Sequence, residues 1–194
     1  MRYEYAIKLQ EYLSKYIIRE DRFKEIRYIA GVDVSYRREK AYPCIVIIEK
    51  ESLKMINYEC KEFILDIPYI PSLLFLREGN AMLSVLKNKE YDLIMVDGNG
   101  ILHPRRFGLA SYIGLMLNKP TIGVAKRLLC GEIVNDDIID KGEVIGKKFN
   151  NIYISIGNMV SLSTAVRLVK EVCRFRLPEP IRLADIISRR AAQA

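Results

Sequence analysis

The chain has 194 residues, with 31 Lys and Arg against 24 Asp and Glu, a net charge of +7 and a sequence pI of about 9.2. Half of the residues are hydrophobic and 28% are charged, which excludes a disordered or collagen-like chain and fits one globular domain with a substantial core. No uninterrupted apolar run approaches the roughly 20 residues of a membrane helix, and the charge-mixed start MRYEYAIKLQEYLSKY is no secretory signal. The basic balance points either to an anionic partner, nucleic acid first, or to the surface ion pairs of a heat-adapted chain. Cysteines 44, 60, 130 and 173 form no CxxC pair. Cys44 in an apolar run and Cys173 on a helical pattern read as buried thiols, and a reducing, cytoplasmic setting is the simplest expectation.

Leu9, Leu13, Tyr16 and Ile17 fall at helical spacing, so the N-terminal stretch is predicted as an amphipathic helix. Tyr28 to Tyr36, Ala41 to Glu49 and Met55 to Leu65 are rich in β-branched and aromatic residues and read as three strands. Their joins are short and polar, as an antiparallel meander prefers. Pro71-Ser72 then opens a helical segment with Ser72 as its N-cap, and Leu74, Glu78, Ala81, Met82 and Val85 line one side of it. Tyr91 to Val96 is a short buried strand ending at Asp97-Gly98. Arg105 to Leu117 is a second helix with Pro104 at its first turn, and Thr121 to Val124 is a strand. A polar, acidic loop follows around Asn135-Asp136-Asp137, then a strand at Ile152 to Ile156. Ser161 to Arg174 and Arg182 to Arg190 complete the chain as helices, the second after the Pro178-Glu179-Pro180 stop.

This order predicts an α/β fold in one domain over residues 1–194. A ribonuclease H-like mixed sheet would carry three antiparallel strands, then parallel βα units, with helices on both faces. The right-handed crossover rule brings the first strand beside the one that ends at Asp97.

Chemistry-bearing residues collect around that junction. Asp33 lies mid-strand between Val32 and Val34, where a carboxylate is costly to bury unless it is paired or bound to a metal. A half-exposed strand residue or a salt bridge is the plainer alternative. Asp97 sits at a strand's carboxyl end, where open α/β sheets place ligands, and Gly98-Asn99-Gly100 lets the backbone turn sharply. An ordinary Asp-Gly turn explains it equally well until the topology sets it beside Asp33. Most helical glutamates are solvated, but Leu74 and Met82 place Glu78 on the inward side. Three such carboxylates suit Mg²⁺, which prefers oxygen ligands and can activate water against a phosphodiester.

His103, the single histidine, precedes Pro104-Arg105-Arg106. It either orients water or a phosphate oxygen, or caps backbone. Arg105 and Arg106 either meet phosphate or stay solvated. Gly108 and Gly114 within the second helix cost helix stability, which close packing or a close substrate backbone would offset. Lys126, at the end of Thr121-Ile-Gly-Val-Ala125, is an exposed lysine, a phosphate contact or a charge partner for the carboxylates. Pro68-Tyr69-Ile70-Pro71 is a stiff turn presenting Tyr69, either as a packed connector or as an aromatic that stacks on a base or wedges into a duplex.

Together, Gly31-Val-Asp-Val-Ser35, Pro68-Tyr-Ile-Pro71, Phe75-Leu-Arg-Glu-Gly79, Val96-Asp-Gly-Asn-Gly-Ile-Leu-His-Pro-Arg-Arg106, Gly108-Leu-Ala-Ser111, Gly123-Val-Ala-Lys126 and Leu177-Pro-Glu-Pro-Ile-Arg182 resemble the endonuclease V family, the deoxyinosine-directed repair nucleases. The likeness spans nearly the whole chain. It implies an RNase H-like fold and Mg²⁺-dependent hydrolysis, with Mn²⁺ as a substitute. The cut would fall at the second phosphodiester 3′ to hypoxanthine and leave 3′-hydroxyl and 5′-phosphate ends. By motif, Asp33, Glu78 and Asp97 would be the metal carboxylates, with His103 and Lys126 assisting near the scissile phosphate. Tyr69, within Pro68, Ile70 and Pro71, would fill the gap beside the displaced base, and Gly79 and Gly108 would admit nucleic acid. Arg105 and Arg106 are the candidate phosphate contacts. Asp185 matches a less uniform late position and is held as an additional acidic group.

Ser72 departs from the family's usual Gly, Asn99 from a common Gln, and Arg127 from a small polar residue. Ile154-Ser-Ile-Gly157 lacks a proline often seen before that glycine. The expected partner is DNA containing a deaminated purine, bound by a monomer with no membrane association. Two alternatives stand beside this reading: a ribonuclease acting on inosine in RNA, and a non-catalytic nucleic-acid-binding module on the same fold.

Overall fold

Asp33 and Asp97 owe their meeting to strand register. The computed structural model describes residues 3–194; Met1 and Arg2, which open the charge-mixed start, lie outside them. Strands β1 (Tyr28–Arg37), β2 (Lys40–Glu49) and β3 (Met55–Cys60) form an antiparallel meander, with the short β4 (Phe63–Ile64) also paired to β2. Helix α2 (Leu74–Leu86) leads to β5 (Leu93–Asp97), and α3 (Leu109–Leu117) leads to β6 (Thr121–Ala125). Both β1/β5 and β5/β6 are parallel pairs, as the crossover rule anticipates. The antiparallel run β7 (Glu132–Val134), β8 (Asp137–Asp140), β9 (Glu143–Phe149) and β10 (Ile152–Asn158) adds to β6. Among the described residues these strands make one mixed sheet in the order β3-β2-β1-β5-β6-β10-β9-β8-β7. The chain ends in α4 (Leu162–Glu171), capped by the Ser161 hydroxyl, and α5 (Glu179–Gln193). No helix among the described residues is long and apolar enough to cross a membrane.

Side chains alternate faces along a strand, and the two cores follow that alternation. Ala30 and Val32 of β1 and Ile94 and Val96 of β5 pack with α2 and α3 residues on one face. Ile29, Leu93 and Met95 pack with α4 and α5 residues on the other. Val32 is in register with Val96. The next residues, Asp33 and Asp97, therefore stand side by side on the α5 face. Helix α5 comes close because β1 carries Gly31 there: a Cβ at this position would lie 2.2 Å from the Pro180 carbonyl carbon.

Several local expectations are corrected. On α1 (Glu4–Leu13), Leu9 is exposed, as is Tyr16 in the 3-10 turn that follows, whereas Gln10 is buried. Its amide finds partners inside the fold, which apolar periodicity does not register. Ser72 is no N-cap. It adopts left-handed φ of 62°, and α2 starts at Leu74 with no side-chain cap. Helix α3 begins at Leu109 rather than Arg105, because Arg106 is left-handed and residues 103–106 form turns. Gly108 thus precedes that helix. The third strand is split into β3 and β4. The acidic loop is a hairpin: Asn135 and Asp136 both take positive φ between the paired Val134 and Asp137, the geometry a two-residue turn requires. The exposed β7 lacks the alternation that announces a strand. Finally, Cys44 is no free thiol. It faces Cys60 in register across β2 and β3, and the two form a disulfide, while Cys130 and Cys173 remain free. Cysteine usage therefore does not argue for a reducing compartment.

Candidate active site

Carboxylate oxygens of Asp33, Asp97 and Asp185 all lie within 4.8 Å of one another. Two come from the neighbouring parallel strands and the third from α5, which Gly31 admits to the sheet. Lys126, just past the end of β6, bridges two of them, with Nζ 2.6 Å from Asp97 and 3.0 Å from Asp185. Arg189 pairs with Asp185 from one helical turn on, at 2.9 Å. Glu78 approaches from α2 and is buried. The Tyr36 hydroxyl donates a hydrogen bond to it, and Arg77 lies over the Tyr36 ring. A groove of about 440 Å³ opens on Asp33, Glu78, Asp97, Lys126, Asp185 and Arg189.

Burial, then repulsion between the acids, strains these carboxylates electrostatically. Desolvation first, and Asp33 and Asp97 next, push Glu78 up to about 7 despite the Tyr36 bond. Desolvation and Asp33 push Asp97 up to about 7 against the pull of Lys126. Conversely, the two aspartates hold Lys126 above its ordinary value in spite of its partial burial. An all-oxygen donor set carrying excess negative charge suits a hard divalent cation, and such an ion would relieve the repulsion that raises both acids. The residues present fit one.

A second group lies beside this cluster. Tyr69 is exposed on the turn before α2. It borders a cavity of about 100 Å³ shared with Ser72, Gly98, Asn99, His103, Gly108 and Leu129. The Asn99 Oδ1 there is buried without a partner. His103 is buried, and burial drives it down to about 4. Its Nδ1 accepts the Arg105 backbone N–H at 3.1 Å, so Nε2 carries the proton and donates to the Ser72 carbonyl at 2.9 Å. That carbonyl also accepts from Gln10 Nε2 (3.1 Å) and from Arg105 Nη2 (3.0 Å), whose Nε donates to Gln10 Oε1 (2.7 Å). His103 is thus neutral and engaged with backbone at both nitrogens. Arg106 is committed internally, to Asp140 and Glu143 at 2.8 Å each. Gly79 and Gly108 are both tight against protein: a Cβ would meet the Tyr112 ring at 2.5 Å and the Asn99 carbonyl oxygen at 2.3 Å, respectively.

The family model described as Endonuclease V matches residues 11–186. The chain belongs to the endonuclease V family. An endonuclease V from Dictyoglomus turgidum is 41% identical, over 97% of this chain and 90% of its own length. The crystal structure of human endonuclease V superposes with a TM-score of 0.88 at 30% identity, covering 96% of each chain. An endonuclease V from Ciona intestinalis, solved with a 24mer DNA containing an inosine followed by a ribo-adenosine, gives 0.84 at 32% identity, covering 96% of this chain and 95% of its own. Within this endonuclease V chain, the fold unites Asp33, Asp97, Lys126 and Asp185 directly, with Glu78 on the same groove. It gathers Tyr69, His103, Arg105 and Gly108 around the adjoining cavity and leaves Arg106 tied to β8 and β9. Gln10, Tyr36, Arg189 and Ser188, whose hydroxyl reaches Asp33, carry no signal in composition or spacing. Each is an ordinary residue on its element, and only the tertiary contact assigns it a part.

Proposed function

We propose that this chain is a DNA repair endonuclease that recognises a deaminated purine, hypoxanthine above all. It hydrolyses the second phosphodiester 3′ to the lesion, leaving a 3′-hydroxyl and a 5′-phosphate. The convergence of Asp33, Asp97 and Asp185 beside Glu78 carries this reading, because a module that only binds nucleic acid gains nothing from acids that repel phosphate. Asp33, Asp97 and Asp185 would hold Mg²⁺, or Mn²⁺ in its place. The bound ion would lower the pKa of a water and stabilise the departing oxygen. Lys126, which pairs with Asp97 and Asp185, would be released by the bound ion to meet the scissile phosphate. Glu78 completes the acidic wall of the groove and is held in orientation by Tyr36.

Tyr69 is the exposed aromatic on a proline-stiffened turn, suited to occupy the space of a displaced base. The adjoining cavity would take that base and read its edge. There His103, pinned to the Ser72 carbonyl, supports the cavity wall rather than exchanging protons. A second reading, cleavage at inosine in RNA, draws on the Ciona intestinalis complex, whose nucleic acid carries a ribonucleotide after the inosine. Paired DNA and RNA oligonucleotides of one sequence, each with a single inosine, decide between the two. Preferential Mg²⁺-dependent nicking of the DNA supports the proposal, and cleavage of RNA alone replaces it with the second reading. No nicking of either leaves a binding module.

A further inference from the structure

Helix α5 lies along β1 so that Pro180 covers Gly31 and, further along, Ser188 covers Asp33 and Ser35. Gly31, Asp33 and Ser35 share one face of the strand by alternation. Asp185 reaches the carboxylate cluster itself. Ser188, three residues on and fully buried, has its Oγ 2.6 Å from Asp33 Oδ2, 2.8 Å from Ser35 Oγ and 3.1 Å from the Asp185 backbone carbonyl.

A serine hydroxyl has one proton to give. A mid-helix serine usually gives it to a carbonyl of the preceding turn. Here the carboxylate is both the nearer acceptor and the charged one, and charge-assisted bonds are roughly twice as strong as neutral ones. The proton therefore goes to Asp33. Ser188 is left as acceptor toward Ser35, and the bonds run in one direction, from Ser35 to Ser188 to Asp33.

From this geometry we infer that Ser188 is a positioning residue for Asp33: it fixes the rotation of the carboxylate and leaves Oδ1 as the oxygen offered to a cation shared with Asp97 and Asp185. Ser35 acts one step further out by orienting the Ser188 hydroxyl. The inference rests on reading the cluster as a divalent-cation site. Partners that orient a metal ligand are worth about 10- to 100-fold in metal affinity when removed. Ser35 should matter less, because Ser188 keeps its proton donation to Asp33 without it.

The test is Mn²⁺ binding to the full chain by isothermal titration calorimetry, without nucleic acid, alongside melting in EDTA. Ser188→Ala is expected to weaken Mn²⁺ binding about 10- to 100-fold while the metal-free melting temperature stays within a few degrees of the parent. Ser188→Cys keeps a similar volume but replaces a strong donor with a weak one, so it carries the same expectation should the alanine variant fail to fold. Ser35→Ala is expected to weaken binding by roughly threefold or less, since it leaves the Ser188 bond to Asp33 in place. Mn²⁺ affinity within twofold of the parent for a folded Ser188 variant overturns the inference, as does a loss of melting temperature with unchanged affinity. A parent chain that binds no Mn²⁺ overturns the cation-site reading itself, a result distinct from either.

Discussion

Asp97→Asn removes one charge from the carboxylate cluster while keeping its shape, so it isolates the cost of holding these acids together. In the metal-free fold, burial and Asp33 raise Asp97 from its ordinary 3.8 to about 7. Because the folded value is the higher one, the fold binds this proton more tightly than the unfolded chain does. The penalty of the ionised group is therefore full above pH 7 and shrinks as pH falls through 7 toward 4. The penalty is on the order of a few kcal/mol at pH 8 and smaller at pH 5. The lost attraction to Lys126 is already contained in that shift, since Lys126 is among its causes. Asparagine does not titrate. In EDTA the variant should thus be the more stable protein at pH 8, by an amount on the order of a few kcal/mol, with the advantage narrowing at pH 5. At roughly 2–4 °C for each kcal/mol in a chain of this size, the gain at pH 8 is read directly by calorimetry. Urea melts at the two pH values give the free energies. A variant less stable than the parent at pH 8, or an advantage that does not shrink between pH 8 and pH 5, would mean that Asp97 is not destabilised by burial and Asp33.

Other consequences follow from the fold. The Cys44–Cys60 disulfide closes a separation of 16 residues, so reduction or Cys60→Ser should cost about 3 kcal/mol. Thiol titration of the unreduced, denatured chain should find two thiols rather than four. Gln10→Ala removes two donors and one acceptor from the Ser72, Phe107 and Arg105 hub and leaves a buried carbonyl short of partners. It should lower stability by about 1–3 kcal/mol in denaturant melts and raise hydrogen exchange in the Tyr69 turn. Gly31→Ala forces a methyl into the Pro180 carbonyl. A loss of about 1–3 kcal/mol or more is expected from overpacking, together with weakened metal binding, because α5 carries Asp185 and Ser188.

The core of the site was legible because it depends on rules that act locally. A buried aspartate in β1, an aspartate at the end of β5 and a right-handed crossover suffice to bring Asp33 beside Asp97. Lys126 follows from its place at the end of the next strand. Other parts depend on contacts between distant segments. Asp185 matched only a less uniform position, and its place in the cluster depends on how closely α5 rides over Gly31. Of the apolar stripe expected at the N-terminus, Leu13 and Ile17 do pack on the core while Leu9 and Tyr16 are exposed; Gln10 is a polar residue on the same helix, and apolar periodicity gives it no part. The Cys44–Cys60 bond depends on strand register, which spacing does not encode. Strands β7 to β9 are short or partly exposed and lack clear alternation, although Asn135 and Asp136 are the residue types a left-handed two-residue turn selects. Arg105 and Arg106 look alike in sequence. Only the fold separates Arg105, beside the cavity, from Arg106, bound to Asp140 and Glu143.

The charge balance of the chain also has a local meaning. A net +7 suits a polyanionic partner, yet the groove itself concentrates acids. Cleavage mapping tests most directly whether those acids perform the reaction. The substrate is an end-labelled duplex with one inosine, incubated with Mg²⁺ or EDTA and with the parent, Asp33→Ala or Asp97→Ala chain. The parent with Mg²⁺ is expected to make a single nick at the second phosphodiester 3′ to the inosine. No nick is expected in EDTA, and none from either folded variant. Undiminished nicking by Asp33→Ala or Asp97→Ala, or by the parent in EDTA, would contradict this expectation.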